Sequence, residues 1–295
     1  MQDPDFLSPE RFPYVGLYST KNGISAVGSP AKVQILGMLA QNEMAFEEVV
    51  ARSGRAKSTI SVHLGDLADA GIVGARTDPL DGRKKIFYLD SFFLGCADTG
   101  EKSGFEIDRY IQKEIPCDGN PASLYRFILS TIRLNLMNQG ISIDPLLHLA
   151  GLNAGASLYH CVADPVIDRM IDGMVKVWEK NGLGDLELES KIPLTLNIRD
   201  CFECIDLPIR GKPACAFESG VLSSLFSLYY GKQKKAIETR CYAMGSNLCR
   251  FEVRDQPIRG HQDTREARED LTRLSDHWSH MARGEQPGQV SGRLP

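Results

Sequence analysis

Apolar positions in the first third of the chain recur at helical spacing and predict three consecutive helices. The first opens at Ser29 and Pro30, an N-cap residue followed by a proline in the first turn. A shorter helix follows, and the third lies in the segment RAKSTISVHLGDLADAGIV. There Ile60, Leu64 and Leu67 recur at i, i+4 and i+7, which predicts one buried stripe.

The third predicted helix has a small, almost uncharged face opposite this stripe, which suits contact with base edges in a major groove. After it, Asp81-Gly82 is a hairpin turn signal with cations on both sides. Three helices and a cationic hairpin predict a winged helix-turn-helix. The clustering of the cations favours this over an ordinary helical bundle with a charged hairpin. The residues predicted to approach bases are Ser58, Thr59, Ser61 and Val62, and those predicted to hold phosphates are Lys57, Arg76, Arg83, Lys84 and Lys85.

The second half of the chain combines helical periodicity with strand alternation. Residues 122–138 are apolar on most sides, which predicts a helix that is buried or lies in a subunit interface. Helices are also predicted around 145–162, 164–181 and 219–230, and the alternation over 183–199 predicts a strand. The alternating segment KKAIETRCYAMGSNLCRFEVR, with its Gly-Ser-Asn turn signal, predicts a hairpin.

This predicted hairpin brings candidate metal ligands together. If its turn centres on Gly245, Cys241 and Cys249 face each other, and Cys215 from an earlier segment could close the site. Three thiolates and a carboxylate can form a closed tetrahedral zinc shell, which would be structural rather than catalytic. A regular strand aims Glu238 at the opposite face, so its participation requires a bulge or a strand that starts after it. Buried core cysteines and a Cys241–Cys249 disulfide are the alternatives.

Two further cysteines, Cys201 and Cys204, form a CxxC motif, a spacing that can be redox-active. The motif follows the predicted strand. If the strand continues, these residues lie about 10 Å apart, beyond the ~7 Å limit for a disulfide, and each would pair elsewhere. Two ordinary cysteines are the alternative. The predicted redox candidates are Cys201, Cys204, Cys241 and Cys249.

Composition limits the classes of function. A chain of 295 residues has room for two domains, and a net charge of −4 confines any nucleic-acid contact to a local basic patch. No apolar run is long enough to span a membrane and the first residues lack signal-peptide features, so a cytoplasmic location is predicted. In that compartment eight cysteines suggest metal binding or thiol chemistry. The sequence contains neither GxGxxG nor GxxxxGK, which argues against an enzyme that uses such a loop.

The stretch STISVHLGDLADAGIV closely resembles the winged helices of ArsR-type regulators, and the resemblance extends over most of 29–92. It implies double-stranded DNA as a partner. The cysteine-rich motif of the family's metal sensors is absent, because no cysteine precedes Cys96. Metal sensing is therefore not expected in this domain.

Residues 124–253 resemble the 4-vinyl reductase domain, through LAGLNAGASL, VWEKNGLGDLEL and ACAFESGVLSSLFSLYYGKQKKAIETRCYAMGSNLCRFEV. Sensory domains of this type in phenol-responsive bacterial activators bind zinc through one Cys, one Glu and two further Cys. Their spacings match Cys215, Glu238, Cys241 and Cys249. The resemblance thus implies zinc as the cofactor and includes Glu238 in its shell. It also implies a homodimer and a pocket for a small, mostly apolar molecule beside the zinc.

An ArsR-type winged helix followed by such a domain resembles the layout of the MsvR-type redox-responsive transcription regulators of methanogenic archaea. The resemblance implies an α+β protein, with an N-terminal winged helix-turn-helix domain and a C-terminal α/β sensory domain that has an antiparallel sheet and a zinc site. The predicted boundaries are 1–28 for an N-terminal arm, 29–92 for the winged helix, 93–121 for a linker and the start of the sensory domain, 122–255 for the sensory domain, and 256–295 for a polar tail that could form a helix.

The predicted function is that of a homodimeric, DNA-binding transcription regulator, not an enzyme, whose sensory domain detects redox state through cysteine thiols and zinc. One alternative is a regulator whose sensory pocket binds a small apolar or aromatic effector. Another is an enzyme that resembles tetrapyrrole vinyl reductases. A third is an interaction protein whose winged helix binds protein rather than DNA.

Overall fold

The computed structural model describes residues 14–98, 109–110 and 119–256 of the chain. The tail predicted over 256–295 lies outside the described residues apart from Gln256, and so do much of the linker predicted over 93–121 and residues 1–13. The described ranges contain no helix that combines the length and apolar character needed to cross a membrane.

A hairpin precedes the predicted winged helix. Strand β1 spans Tyr14–Thr20 and pairs antiparallel with strand β2, Gly23–Val27. Tyr18 is fully buried, and its ring packs on Phe93 with the two centroids 5.2 Å apart. Burial of this aromatic pair stabilises strand structure in a segment with few other apolar residues. Residues 14–27, which fall within the predicted N-terminal arm, are therefore part of a sheet.

The winged helix consists of three helices and a three-stranded antiparallel sheet. Its elements are helix α1 at Pro30–Gln41, strand β3 at Met44–Ala45, helix α2 at Phe46–Ser53, helix α3 at Lys57–Asp69, strand β4 at Val73–Thr77 and strand β5 at Lys85–Leu89. The sheet order is β3-β5-β4, and β4 and β5 form the wing. Ile60, Leu64 and Leu67 are at most 1% exposed, which confirms the buried stripe predicted for α3.

A second sheet connects the N-terminal hairpin to the segment that follows the predicted linker. Strand β6, Phe92–Asp98, pairs with β1 on one side and with the short strand β7, Ile141–Ser142, on the other. Strand β7 lies between helix α4, Pro121–Asn138, and helix α5, Asp144–Val162. Backbone pairing thus joins the winged-helix half of the chain directly to the C-terminal half.

The C-terminal half contains a four-stranded antiparallel sheet with the order β10-β11-β9-β8. Its elements are helix α6 at Ile167–Asn181, strand β8 at Asp185–Lys191, strand β9 at Leu194–Arg199, helix α7 at Ala216–Tyr230, strand β10 at Lys234–Arg240 and strand β11 at Cys249–Asp255. The prediction of one strand over 183–199 is wrong. The chain reverses at Ile192-Pro193, because Ile192 is 93% exposed and a proline cannot donate to a sheet ladder.

Helices α5 and α7 pack closely enough that only glycine fits at their contact. A Cβ atom on Gly151 would lie 2.0 Å from the backbone oxygen of Phe217, and one on Gly220 would lie 2.2 Å from that of His148. Glycine permits this backbone approach because it has no Cβ. The contact fixes the position of α7, whose first turn follows Cys215.

Candidate metal centre and nucleic-acid interface

The first turn of α7 is anchored to the CxxC segment by a buried acid. Glu203, between the two CxxC cysteines, accepts hydrogen bonds from the backbone N–H groups of Phe217 and Glu218, at 3.0 and 2.9 Å. A carboxylate at a helix N-terminus satisfies orphan donors and interacts favourably with the helix dipole. The result is that the CxxC segment lies against Cys215, the N-cap residue of α7.

Arg133 of α4 strengthens this anchor. Its guanidinium is 5% exposed, and it donates to the backbone oxygens of Glu203 and Ala214, at 2.8 and 2.6 Å. It therefore ties the CxxC segment to the residue before Cys215. Burial acts to lower the pKa of Arg133, but the neighbouring Glu203 and Asp144 raise it overall, so the guanidinium keeps its charge.

The CxxC motif forms a turn rather than a continued strand. The backbone N–H groups of Cys204 and Ile205 both point to the backbone oxygen of Cys201, at 3.4 and 3.2 Å. This turn corrects the expectation of a ~10 Å separation for an extended motif. Both sulfurs instead face one cluster, in which the ligand atoms of Cys201, Cys204, Cys215 and Cys249 lie within 4.8 Å of one another.

Five buried cysteine sulfurs meet at this point, each at most 1% exposed, and none is in a disulfide. The shortest separation is 3.2 Å, between the Sγ atoms of Cys204 and Cys249. The Sγ atom of Cys215 lies 3.6 Å from those of both Cys201 and Cys249. The Sγ atom of Cys241 lies 3.8 Å from that of Cys215 and 4.0 Å from that of Cys249. Cys215 and Cys249 are therefore the central pair of the cluster.

Glu238 faces the cluster because strand β10 is irregular there. The register shifts between Glu238, which pairs with Phe251, and Arg240, which pairs with Arg250. This irregularity is the bulge that the sequence argument required if Glu238 was to join the cysteines. The ligand atoms of Cys215, Glu238, Cys241 and Cys249 also lie within 4.8 Å of one another.

The two oxygens of Glu238 have different partners. Oε2 accepts hydrogen bonds from the backbone N–H groups of Ala214 and Cys215, at 3.0 and 2.9 Å. Oε1 is buried and has no hydrogen-bond partner among the described residues. A buried carboxylate oxygen without a donor costs free energy unless a cation or a proton satisfies it. The donor set and this oxygen both fit a divalent metal ion, and three thiolates with one carboxylate suit zinc.

Burial makes charge in this region costly. It raises the pKa of the Cys215 thiol and raises that of Glu238 well above its usual range, with Cys241 adding to the second effect. It also raises the pKa of Glu203 to about 8 and that of Glu218 well above its usual value. Glu218 accepts a hydrogen bond of 2.8 Å from the indole N–H of the fully buried Trp178. A bound cation would offset this cost by stabilising the deprotonated ligands.

The sequence argument identified one of the two ligand sets that the structure brings together. Cys215, Glu238, Cys241 and Cys249 were predicted as ligands, and the structure places them together. Cys201 and Cys204 were predicted only as redox candidates. The CxxC spacing was the signal that could have suggested ligands, but their approach to Cys215 depends on Arg133, which is distant in sequence.

The face of α3 predicted to approach DNA is largely open to solvent. Lys57, Ser58, Ser61 and Val62 are exposed, Val62 to 61%, and Thr59 is half-buried. The wing cations differ in their surroundings. Arg83 is exposed and lies 3.3 Å from Asp81, Lys84 lies 3.8 Å from the same carboxylate, and Lys85 is exposed. Arg76 is paired with Glu43, so its charge is partly neutralised.

Both halves of the chain match known protein families. Residues 29–74 match the bacterial regulatory protein, arsR family, and residues 194–255 match the 4-vinyl reductase domain. The chain therefore carries an arsR-type helix-turn-helix followed by a 4-vinyl reductase domain. This combination defines the class of regulatory proteins in which a winged helix precedes such a domain.

Individual relatives cover parts of the chain. It is 42% identical over 72 residues to an uncharacterized protein of Methanocaldococcus jannaschii, MJ1642; the match covers 24% of this chain and 45% of that protein, less than half its length. A vinyl-4-reductase family protein of the same organism covers 52% of this chain and 89% of its own, at 17% identity and a TM-score of 0.34. The phenol-responsive sensory domain of the transcription activator PoxR, with phenol, covers 78% and 99%, at 14% identity and a TM-score of 0.35.

Proposed function

We propose that the chain is a homodimeric, DNA-binding transcription regulator whose 4-vinyl reductase domain senses redox state through the cysteine cluster and a zinc ion. The observation that carries the proposal is the buried set of Cys215, Glu238, Cys241 and Cys249, in a chain that also has an arsR-type winged helix. The zinc ion would supply a closed, structural link between the start of α7 and the β10–β11 hairpin.

Exposed cations support DNA as the partner of the winged helix. Lys57, Arg83, Lys84 and Lys85 would contact phosphates, with a smaller part for Arg76 because Glu43 already pairs with it. Ser58, Thr59, Ser61 and Val62 would approach base edges. The positioning and reading roles therefore belong to different residues.

Salt dependence of DNA binding tests this part of the proposal. Each lost phosphate contact lowers the slope of log affinity against log salt by about 0.9. The variant R83A/K84A/K85A should therefore lose about 2–3 from the slope in a fluorescence anisotropy titration. The variant K176A/K180A/K191A removes the same charge from the C-terminal half and should keep the wild-type slope. Equal slopes for all three proteins would exclude a role of the wing in DNA binding.

The cluster geometry supports a thiol switch. The Sγ atoms of Cys204 and Cys249 are 3.2 Å apart, and a disulfide bond is about 2.05 Å long, so little movement is needed. A hydroperoxide would take two electrons and two protons from the two thiols, which form one S–S bond, while the peroxide becomes one alcohol and one water. The reaction removes Cys249 from the ligands and would weaken zinc binding.

A chain of contacts runs from the cluster to the sheet that borders the winged helix. Arg133 donates to the backbone oxygen of Glu203 and lies 3.9 Å from Asp144, which accepts a 2.8 Å hydrogen bond from Ser142. Ser142 of β7 pairs with Cys96 of β6. A change at the CxxC turn could therefore shift β6 and the N-terminal hairpin.

The variant D144N tests this connection. It should keep the DNA affinity of the reduced protein but lose most of the difference between reduced and oxidised protein. The exposed control D172N, on α6, should keep both. If D144N responds to oxidation as the wild type does, the signal does not pass through Asp144.

An exposed apolar stripe on α4 supports a homodimer. Tyr125, Ile128 and Ile132 recur near helical spacing and are 70%, 43% and 51% exposed. Such a stripe is typical of a protein interface. Light scattering should give a dimer for the wild type and a monomer for I128E/I132E. A dimer that survives both charges would place the interface elsewhere.

A cleft beside the cluster supports the effector alternative as a second candidate. Its lining includes Met137, Ile141 and Ala243, but also Arg133, Asp144 and Arg210. This mixed lining suits a small molecule with both apolar and polar groups. Calorimetric titration with phenol would give heat of binding if such an effector is the input.

The absence of an enzymatic activity stays a prediction. A four-ligand shell leaves no open position for a substrate, which supports it. Incubation of the protein with a reduced nicotinamide and a vinyl tetrapyrrole should give no turnover, and turnover would favour the enzyme alternative.

A further inference from the structure

Six candidate ligands form two overlapping sets around the central cysteine pair. One set is Cys215, Glu238, Cys241 and Cys249, and the other is Cys201, Cys204, Cys215 and Cys249. The two sets share only Cys215 and Cys249. Each set has the four ligand atoms that one tetrahedral ion requires.

We propose that the cluster binds two divalent metal ions of zinc type, with the sulfurs of Cys215 and Cys249 bridging them. Glu238 and Cys241 would complete the first shell, and Cys201 and Cys204 would complete the second. Two tetrahedral ions need eight ligand positions, and six ligands provide them when two thiolates are shared. The proposal rests on the proposed function only in that it accepts zinc in the first set.

The sulfur separations support shared tetrahedra. In a regular tetrahedron with Zn–S bonds of 2.3 Å, neighbouring sulfurs lie about 3.8 Å apart. The bridging pair, Cys215 and Cys249, is separated by 3.6 Å. In the second set, the Sγ atom of Cys201 lies 3.6 Å from that of Cys215, and the Sγ atom of Cys204 lies 3.2 Å from that of Cys249. Ion binding would require shifts of a few tenths of an ångström.

Charge also favours two ions. Five thiolates and one carboxylate carry six negative charges, which one divalent ion would leave largely uncompensated in a buried site. With a single ion, two buried thiols would have to stay protonated. With two ions, the remaining excess of two negative charges lies near the buried guanidinium of Arg133, which is charged and contacts the CxxC segment.

The second set is held in place before any ion binds. The CxxC turn is fixed by its own backbone hydrogen bonds, and Glu203 holds it against the first turn of α7. Arg133 fixes the same segment from the other side, through the backbone oxygens of Glu203 and Ala214. Ligands that are positioned in advance bind metal at a lower cost in conformational entropy.

Metal stoichiometry of the full chain tests the proposal. The reduced protein is loaded with zinc, desalted, and analysed by elemental mass spectrometry, and we expect two ions per chain. The variant C201S/C204S should bind one. The matched control C96S/C161S replaces two cysteines outside both sets and should still bind two.

A second measurement avoids dependence on the folding of a variant. Wild-type protein loaded with cadmium-113 should give two NMR resonances, because one ion has four sulfur ligands and the other has three sulfurs and an oxygen. The shared thiolates should also produce coupling between the two cadmium nuclei. A single resonance, together with one zinc ion per chain in wild type, would overturn the second ion but leave the proposed regulator intact. A chain that binds no zinc would overturn both.

Discussion

Replacement of Glu238 separates its role as a metal ligand from its role in the protein fold. The variant E238Q keeps an oxygen that can accept hydrogen bonds from the backbone N–H groups of Ala214 and Cys215. It loses the carboxylate that we assign to zinc. The variant E238A loses both functions, so the pair of variants allows two contributions to be measured independently.

The expected magnitudes follow from these contacts. In metal-free protein, E238A leaves two backbone donors without their acceptor, at about 1–3 kcal/mol for each. E238Q should change the free energy of unfolding of metal-free protein by less than about 1.5 kcal/mol, because hydrogen bonding and volume are preserved. With zinc, E238Q should lose at least the 10–100-fold in affinity that outer ligand partners typically supply, which is about 1.4–2.8 kcal/mol.

Urea unfolding followed by far-UV circular dichroism, with and without zinc, measures both contributions. The control E189Q removes a carboxylate from the neighbouring sheet region, where Glu189 pairs with Arg250 at the surface. It should keep the full zinc-dependent stabilisation, since an exposed ion pair contributes about 0–1 kcal/mol. If zinc stabilises E238Q as strongly as wild type, Glu238 is not a ligand and the proposed first shell is wrong.

Three further predictions concern other parts of the chain. V62D should weaken DNA binding without loss of stability because Val62 is exposed, whereas L64A should cost about 2–5 kcal/mol in the free energy of unfolding; a destabilised V62D would contradict the position of α3. G151A should destabilise the protein by about 1–3 kcal/mol in urea unfolding, since its Cβ would meet a backbone oxygen, and a neutral effect would contradict the α5–α7 contact. E218Q should reduce the loss of stability as pH rises above the ordinary carboxyl pKa of 4.5, measured by thermal unfolding across pH; parallel curves for both proteins would refute this.

The sign of the last prediction follows from the raised pKa of Glu218. The folded state keeps a proton that the unfolded chain releases, so the contribution of the neutral carboxyl is fully present below the unfolded pKa. It is lost as pH rises towards the folded pKa. The side chain that E218Q introduces is absent from this equilibrium because an amide does not titrate, although it can still accept the indole hydrogen bond of Trp178.

Local patterns predicted the elements whose residues interact within one segment. The stripe of Ile60, Leu64 and Leu67 specified α3 because side chains at that spacing share one helix face. The hairpin signal at Asp81-Gly82 likewise marked the wing, where Thr77 pairs with Lys85. The condition set for Glu238, a bulge in its strand, was also a local argument.

Features that depend on distant residues were missed. The N-terminal hairpin depends on burial of Tyr18 against Phe93, far along the chain, and its own alternation is weak. The reversal at Ile192-Pro193 was missed because alternation continues on both sides of it. The CxxC turn depends on Arg133, whose contact with Glu203 joins residues far apart in sequence, so spacing alone could not place Cys201 and Cys204 beside Cys215.

The central claim is that the state of the cysteine cluster controls DNA binding. The most direct measurement uses a duplex selected from a random pool by reduced, zinc-loaded protein. Its affinity is then measured for the same preparation before oxidation with a hydroperoxide, after oxidation, and after re-reduction with zinc, while zinc per chain is counted in parallel. The account predicts a reversible change in affinity of at least tenfold that follows the loss and return of zinc. Equal affinity in all three states, with zinc lost on oxidation, would contradict it.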